Sequence, residues 1–409
     1  MTNAVATCIL RRFFSLLLFF SFGANADVIT ADQFGLHIHG LARGNSWPSV
    51  PFGTLRLWDT GTNWERLEPR RGEWKFEELD LIVAQAQLRG VKVLLTLGQT
   101  PSWAALDPES DSPYAPGASS PPRDISDWKN YVRTVGERYK GRIQYWEIWN
   151  EIDVKHFYNG SFKRLAELER VAVEVLKDID ETNIILTPSV QSGAFKVLER
   201  YLDSGGGRFA DVVSYHFYVP KDDPEEIPSY VMKVRSILEK YRLGNKPIWN
   251  TEAGWLIENR NGGFGPNRRP AAMTWRGLKW HEAEGIVLRA YLINFSTGVQ
   301  RFFWYAWDNQ AMGLAEDKGR NPKPAAAGYA TAYRWLVGKQ LVGCAKVESV
   351  HYCHTRFEGK NSYIVWARKE MSFSVPVDWS VNRFEDMNER YFEIKQNVVV
   401  GPMPIRLLQ

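Results

Sequence analysis

Two short runs in this 409-residue chain set glutamates in the company that a catalytic carboxyl needs. Tyr145-Trp146-Glu147-Ile148-Trp149-Asn150-Glu151 ends an aromatic-rich stretch on an acid, and Trp249-Asn250-Thr251-Glu252 does the same far downstream. Splitting the acetal between two sugars takes two carboxyl groups flanking the anomeric carbon. One protonates the departing oxygen, and the other attacks or activates water. Held about 5 Å apart, such a pair works by double displacement and retains configuration. The expected roles are Glu151 as acid/base and Glu252 as nucleophile. The like charge of Glu252 is expected to raise Glu151, so that it keeps its proton.

Rigid elements must hold these groups. Short apolar runs alternate with amphipathic helical stretches, the pattern of repeated β–α units. Strands are expected at Phe34–Leu41, Thr54–Trp58, Val91–Leu97, Ile143–Trp149, Ile184–Thr187, Asp211–Phe217, Pro247–Thr251 and Phe302–Trp307. Helices are expected at Phe76–Leu88, Asp127–Tyr139, Phe162–Ile179, Ala194–Leu202, Ser229–Tyr241, Gly285–Thr297 and Ala325–Val337. Eight strands over this length give an α/β fold, a (β/α)8 TIM barrel spanning residues 27–338. Both glutamates then fall at the C-terminal ends of strands four and seven, where barrels do chemistry. Residues 339–409 alternate in short runs broken by turns such as Gly359-Lys360-Asn361, and are expected to form a small β-sandwich-like domain packed on the barrel.

The sequence resembles clan A of the glycoside hydrolases, whose members carry Asn-Glu after strand four and the nucleophile after strand seven. Within that clan it is most similar to family 39, which includes β-xylosidases, iduronidases and exopolysaccharide hydrolases. The resemblance runs from Phe34 to Asp308. It includes Arg56, Trp64-x-x-Leu-Glu68-Pro69-x-x-Gly72, Asp80, Thr100-Pro101-Ser102-Trp103-Ala104, Glu147-x-x-Asn150-Glu151, His216-x-Tyr218 and Thr251-Glu252. Ile152 departs from the proline usual after the acid/base, and the Cys pair of the small domain is a second departure. The resemblance implies a β-linked oligo- or polysaccharide substrate, no cofactor and no metal. Asn150 would bond the sugar 2-OH, and Arg56 would keep the nucleophile ionised or pair with Glu147. His216 or Tyr218 would contact the nucleophile or a hydroxyl. Trp304 or Trp307 would floor the subsite of the cleaved sugar, and Trp103 would line the site or serve the scaffold.

Two rival readings belong to other classes. His37-x-His39 at strand one matches the metal signature of amidohydrolase barrels, and His216, Glu151 and Asp308 fall at further positions such a site uses. Strand five, ending Thr187-Pro188-Ser189, lacks the histidine that site requires. On the hydrolase reading, His37 and His39 bond sugar hydroxyls or Glu147. The other rival is a barrel that binds carbohydrate without cleaving it.

Arg11-Arg12, an apolar run from Phe13 to Phe22 and Ala24-Asn25-Ala26 read as a signal peptide removed after Ala26, with a secreted or periplasmic destination. That run is too short for a membrane span, which needs roughly 20 residues. Removal leaves 49 basic against 47 acidic side chains, a near-neutral protein with no basic run for nucleic acid. Cys344 and Cys353 remain and are expected to form a disulfide. All 17 tryptophans also remain, flat apolar faces suited to sugar rings or to a core. Long loops at Asp107–Arg123 and Leu256–Arg269 should rim the barrel mouth. Arg123, Arg260, Arg268, Arg269 and Arg276 there suggest an acidic substrate, unless neighbouring acids balance them.

Overall fold

A computed structural model describes residues 27–219, 221, 223–265 and 275–409. The expected signal segment, Arg268 and Arg269 lie outside those residues.

Eight parallel strands make the central sheet: β1 Phe34–His37, β2 Thr54–Leu57, β3 Lys92–Leu97, β4 Tyr145–Ile148, β5 Ile184–Leu186, β6 Val213–Tyr215, β7 Ile248–Ala253 and β8 Val299–Trp304. Their order is β5-β4-β3-β2-β1-β8-β7-β6. Parallel bridges Leu186↔Val212 and Gln191↔His216 close β5 onto β6, so the sheet is a barrel. Among the described residues, seven helices longer than a single turn surround it: α1 Glu77–Leu88, α2 Ile125–Arg138, α3 Phe162–Ile179, α4 Phe195–Asp203, α5 Ile227–Lys240, α6 Trp280–Ser296 and α7 Pro324–Leu336. After β1 a single 3-10 turn, Leu41–Arg43, stands where a helix would come.

Local sequence explains most of these elements. In α3, Leu165, Leu168, Ala172, Val175, Leu176 and Ile179 form one buried stripe, and the Ser161 hydroxyl accepts from the Arg164 N–H at the start. Asp124 caps α2 through the Ser126 N–H. Two boundaries moved for tertiary reasons. β1 stops at His37 because the N–H groups of His39 and Gly40 turn to the Asp308 carboxylate at 2.8 and 2.9 Å. Helix α6 starts at Trp280, before Gly285, with the Glu282 carboxylate accepting from the Lys279 N–H.

The Asp107–Arg123 loop is fastened at its base by Leu106 N–H to Pro121 O and Arg123 N–H to Ala104 O. Gly206, in the loop before β6, sits against the Tyr201 ring. A Cβ there would lie 2.1 Å from the ring, so no larger residue fits.

Beyond α7 the chain is antiparallel. Strands β9 Gln340–Val347, β10 Val350–Phe357, β11 Lys360–Ala367, β13 Arg383–Glu385, β14 Tyr391–Glu393 and β16 Ile405–Leu408 form one sheet. Strands β12 Met371–Ser374 and β15 Asn397–Val400 pair beside it. Cys344 and Cys353 face each other across β9 and β10 and are disulfide-bonded, with Cα atoms 4.0 Å apart. Val28 bridges to Gln340, so the start of the described chain joins this sheet. The sheet shares the barrel's apolar core through Cys353, Ile364, Trp366 and Met387. Polar contacts add to that seam. Trp366 donates to Glu225 at 2.7 Å, and buried Glu385 receives Arg334, Arg406 and Trp335.

Candidate active site

The geometry of the barrel mouth starts from a backbone that turns sharply as the strands end. Asp59 after β2, Gln99 after β3 and Trp149 and Glu151 after β4 all have positive φ, a conformation that costs non-glycine residues of order 1–3 kcal/mol. The Glu151 N–H is caught by the Ser189 hydroxyl at 3.0 Å. The strained turn therefore points the Glu151 side chain over the centre of the barrel, towards the Glu252 side chain at the end of β7. One carboxylate oxygen from each glutamate and a ring nitrogen of His216 all lie within 4.8 Å of one another.

Beneath them lies an anchored charge network. Arg56 is fully buried on β2. It donates to Glu147 at 2.7 Å, to Glu252 Oε2 at 2.8 Å and to Asn150 Oδ1 at 2.6 Å. Both readings of Arg56 therefore hold together: one guanidinium serves Glu147 and Glu252. The hydroxyls of Thr96, Ser214 and Thr251 also hydrogen-bond to Glu147. Glu147 is thus a buried hub whose carboxyl is well supplied with partners, as burial of such a polar group demands. Tyr218 donates to the other oxygen of Glu252, Oε1, at 2.8 Å.

Burial lowers His216 to about 4, so its ring is neutral near pH 7. Its Nε2 lies 3.1 Å from the Thr251 hydroxyl and its Nδ1 lies 2.8 Å from Glu151 Oε1. Gln191 donates to the other Glu151 oxygen at 2.6 Å. Burial raises Glu151 to about 8, with the Asp153 charge adding to it and the Gln191 bond opposing. The expectation that the Glu252 charge does this needs correcting, because desolvation is the first cause. Burial also lifts Glu252, to about 7, while Arg56 favours its ionised form.

The expected site residues are not all at the centre. Glu151, Glu252, Asn150, Arg56, His216 and Tyr218 converge. The amide nitrogen Nδ2 of Asn150 is buried with no partner, a donor awaiting an acceptor. His37 is fully buried and donates from Nε2 to the Thr251 carbonyl, so it braces β7 and does not reach Glu147. His39 is half-buried, its ring 4.8 Å from that of Tyr305.

The tryptophan expectation is corrected. Trp304 and Trp307 are wholly buried, and their indole N–H groups are spent on Met312 O and Gly319 O. Neither offers a face to a ligand. Tyr305 between them is partly exposed and donates to Asp59 at 2.6 Å. Trp103 serves the scaffold, packing on Trp64 and donating to Glu68 O. The Trp64–Gly72 run is structural too, since Glu68 receives Trp64 Nε1 and Gly72 N.

A sequence model of Glycosyl hydrolase family 10 matches residues 59–165, which contain Asn150-Glu151. Endo-1,4-β-xylanase A of Halalkalibacterium halodurans is 30% identical over 98 residues, 22% of this chain and 24% of that protein. Endo-1,4-β-xylanase B of Paenibacillus barcinonensis is 35% identical over 91 residues, 21% of this chain and 26% of that protein. The chain thus spans about a quarter of the length of the xylanases it matches. Whole-chain likeness comes from solved structures. A family 39 glycoside hydrolase from Bacteroides cellulosilyticus WH2 superposes with a TM-score of 0.71 at 17% identity, over 93% of this chain and 81% of that one. A family 39 β-xylosidase from Caulobacter crescentus gives 0.65 at 15% identity, over 94% and 98%. The chain has the fold of a clan A glycoside hydrolase of the family 39 type.

Within this barrel, the amidohydrolase arrangement does not assemble. Asp308 is saturated by His39 N, Gly40 N and the Asn45 amide. Among the described residues, the group whose spacing would suit a metal ion is Glu151, His216 and Glu252, without His37 or His39. Both His216 nitrogens there are already hydrogen-bonded to protein.

Sequence reasoning missed Gln191, Ser189, Ser214, Asp59, Tyr114 and Tyr305. Gln191 had a signal, a polar residue just past strand five, but only the closing bridge to His216 brings it to Glu151. Two of the rim arginines are engaged: Arg276 pairs with Asp223 and Glu282, and Arg260 with Glu316. No helix among the described residues is long and apolar enough to cross a membrane.

Proposed function

We propose that this protein is a retaining glycoside hydrolase acting on β-linked oligo- or polysaccharides, with Glu151 as acid/base and Glu252 as nucleophile. The carrying observation is the separation of the two carboxyl groups, whose nearest oxygens lie within 4.8 Å. That is the spacing of double displacement, whereas inversion leaves about 6.5–9.5 Å for a water.

In the first step, Glu252 attacks the anomeric carbon while Glu151 gives its proton to the departing oxygen. The bond to that oxygen breaks, and the sugar becomes an ester of Glu252. In the second step, Glu151, now ionised, takes a proton from water. The resulting oxygen nucleophile attacks the anomeric carbon and frees Glu252.

Arg56 and Tyr218 fix one oxygen each of the nucleophile, which aims it and disperses its charge. The unpartnered Asn150 donor suits the 2-OH of the sugar, a bond that tightens as charge develops. Tyr305 and His39 supply the partly exposed ring faces. The names of the xylanase and β-xylosidase relatives make β-1,4-linked xylose the first substrate to try. In this reading the leader of residues 1–26 sends the enzyme to the periplasm or outside the cell.

The test is a screen of β-glycosides and polysaccharides with product analysis, comparing wild type with Glu252→Gln. Turnover by wild type and its loss in the variant support the proposal. A barrel that binds saccharides and cleaves none would be a lectin-like protein, and the proposal would fail.

A further inference from the structure

Tyr218, whose hydroxyl holds Glu252 Oε1, stands just past β6 on the chain that leads to α5. The same segment continues to Asp223, which precedes the single 3-10 turn Pro224–Glu226 at the head of that helix. A second connection joins the same two residues. The Trp275 ring packs on the Tyr218 ring, with centroids 5.4 Å apart. Its chain neighbour Arg276 donates to Asp223 at 2.5 Å and to Glu282, on α6, at 3.0 Å. Tyr218 is therefore held by its own chain and by Trp275, and both supports end on Asp223.

The base of this assembly lies in the antiparallel sheet. Arg289 of α6 donates to the two oxygens of Glu225 at 2.8 and 2.7 Å and lies 3.3 Å from Asp223. It also donates to the Pro402 carbonyl, between β15 and β16, at 3.4 Å. Trp366 of β11 donates to Glu225 at 2.7 Å. Arg368, just past β11, lies 3.7 Å from Asp223 and 3.3 Å from Glu226. The side chains of Arg289 and Glu225 are only 3% and 5% exposed. A buried ion pair adds little net stability, because its desolvation offsets its attraction. Apolar packing already joins the sheet to the barrel. What the directional bonds add is a fixed position for the turn. Position matters at Tyr218, since a shift of about 1 Å in a group that aims a reacting atom can cost on the order of 100-fold in rate.

We infer that the antiparallel sheet positions the nucleophile. Trp366 and Arg368 fix the segment Asp223–Glu226. That segment fixes Tyr218, along the chain and through Arg276 and Trp275, and Tyr218 fixes Glu252. Asp223 and Trp366 are then positioning residues that act on the reaction through Tyr218. The consequence for turnover rests on the hydrolase reading, whereas the linkage from Trp366 to Tyr218 stands apart from it.

The linkage is read by fluorine NMR of the full chain carrying 3-fluorotyrosine at position 218. Asp223→Asn removes the charge that holds Arg276, and Trp366→Phe keeps a ring while removing the N–H given to Glu225. Each should move or broaden the fluorine resonance. Cys344→Ala/Cys353→Ala, which weakens the same sheet away from the turn, should leave it in place. A resonance unmoved by either Asp223→Asn or Trp366→Phe overturns the inference. So does a resonance that moves equally in the cysteine variant, since the sheet would then act through general stability. The consequence is read as kcat/KM on p-nitrophenyl β-glycosides of xylose, glucose and mannose, a quantity that includes the attack by Glu252. Each of the two variants should lose roughly tenfold, less than a full 1 Å displacement would cost. In a Tyr218→Phe background they should lose little more, because the group through which they act has lost its hydroxyl. Losses that add in full in that background overturn the inference. Wild type that cleaves none of the panel defeats the hydrolase reading instead, and the fluorine signal then decides the linkage by itself.

Discussion

His216 Nδ1 stands 2.8 Å from Glu151 Oε1, and its Nε2 stands 3.1 Å from the Thr251 hydroxyl. Burial, which lifts Glu151 to about 8 and depresses His216 to about 4, acts in the same sense on both partners.

The pH dependence follows. The proposed mechanism needs a protonated Glu151 and an ionised Glu252 together, so kcat/KM should trace a narrow bell near neutral pH. The alkaline limb falls as Glu151 loses its proton, around 8, and the acid limb as Glu252 gains one, around 7. In Glu151→Gln, assayed with a dinitrophenyl glycoside that needs no acid, the alkaline limb should vanish. Persistence of that limb in the variant would assign it to another group.

Stereochemistry is a separate consequence. With carboxyl oxygens within 4.8 Å, the first product seen by proton NMR should keep the anomeric configuration of the substrate. Inverted product at early times would reject Glu252 as nucleophile.

The two glutamates should also separate by chemical rescue. Glu151→Ala should retain the first step on substrates with good leaving groups, and azide should accelerate release as a β-glycosyl azide. Glu252→Ala should lose roughly 10⁴-fold or more on every β-glycoside. Azide rescue yielding an α-glycosyl azide in Glu252→Ala is compatible with these roles. A β-azide from that variant would exchange them.

Glu169 offers a stability test away from the site. It is wholly buried on α3, accepts from Tyr201 and from the Gly207 N–H, and burial raises it to about 7. Between its ordinary value of 4.5 and about 7, the folded chain holds a proton that the unfolded chain has released. Stability from this group therefore declines as pH rises through that window and is level above it. The size is on the order of 3 kcal/mol. Urea unfolding from pH 4 to 8 should show Glu169→Gln gaining on wild type as pH rises. A constant difference between the two would exclude this linkage.

The disulfide closes a short loop between neighbouring strands. Its removal in the Cys344→Ala/Cys353→Ala double variant should cost roughly 2–3 kcal/mol of stability in the sheet that carries it. A lowered Tm with unchanged kcat is expected, since both cysteines lie in the antiparallel sheet and not at the barrel mouth. An unchanged Tm would mean the sheet's packing on the barrel dominates.

Much of this protein was determined by its sequence alone. The alternation of apolar runs and amphipathic stretches is local, and it marked the eight barrel strands and the antiparallel segment after Gly338. The two glutamates were legible because each ends a strand, and strand ends in a barrel share one face. Arg56, Asn150 and Tyr218 could be placed for the same reason.

Tertiary structure decided what depends on facing and burial. Strand β8 shifts register against β7 between Phe302 and Trp304, and with side chains alternating at period two, such an irregularity changes which residue looks inward. Trp304 and Trp307 are buried and Tyr305 is partly exposed, which no pattern of aromatic residues reveals. Gln191 reaches Glu151 only because β5 and β6 close the barrel through the Gln191–His216 bridge. Glu151 keeps its proton chiefly because it is desolvated, and desolvation is a property of everything packed around a group, not of its neighbours in the chain.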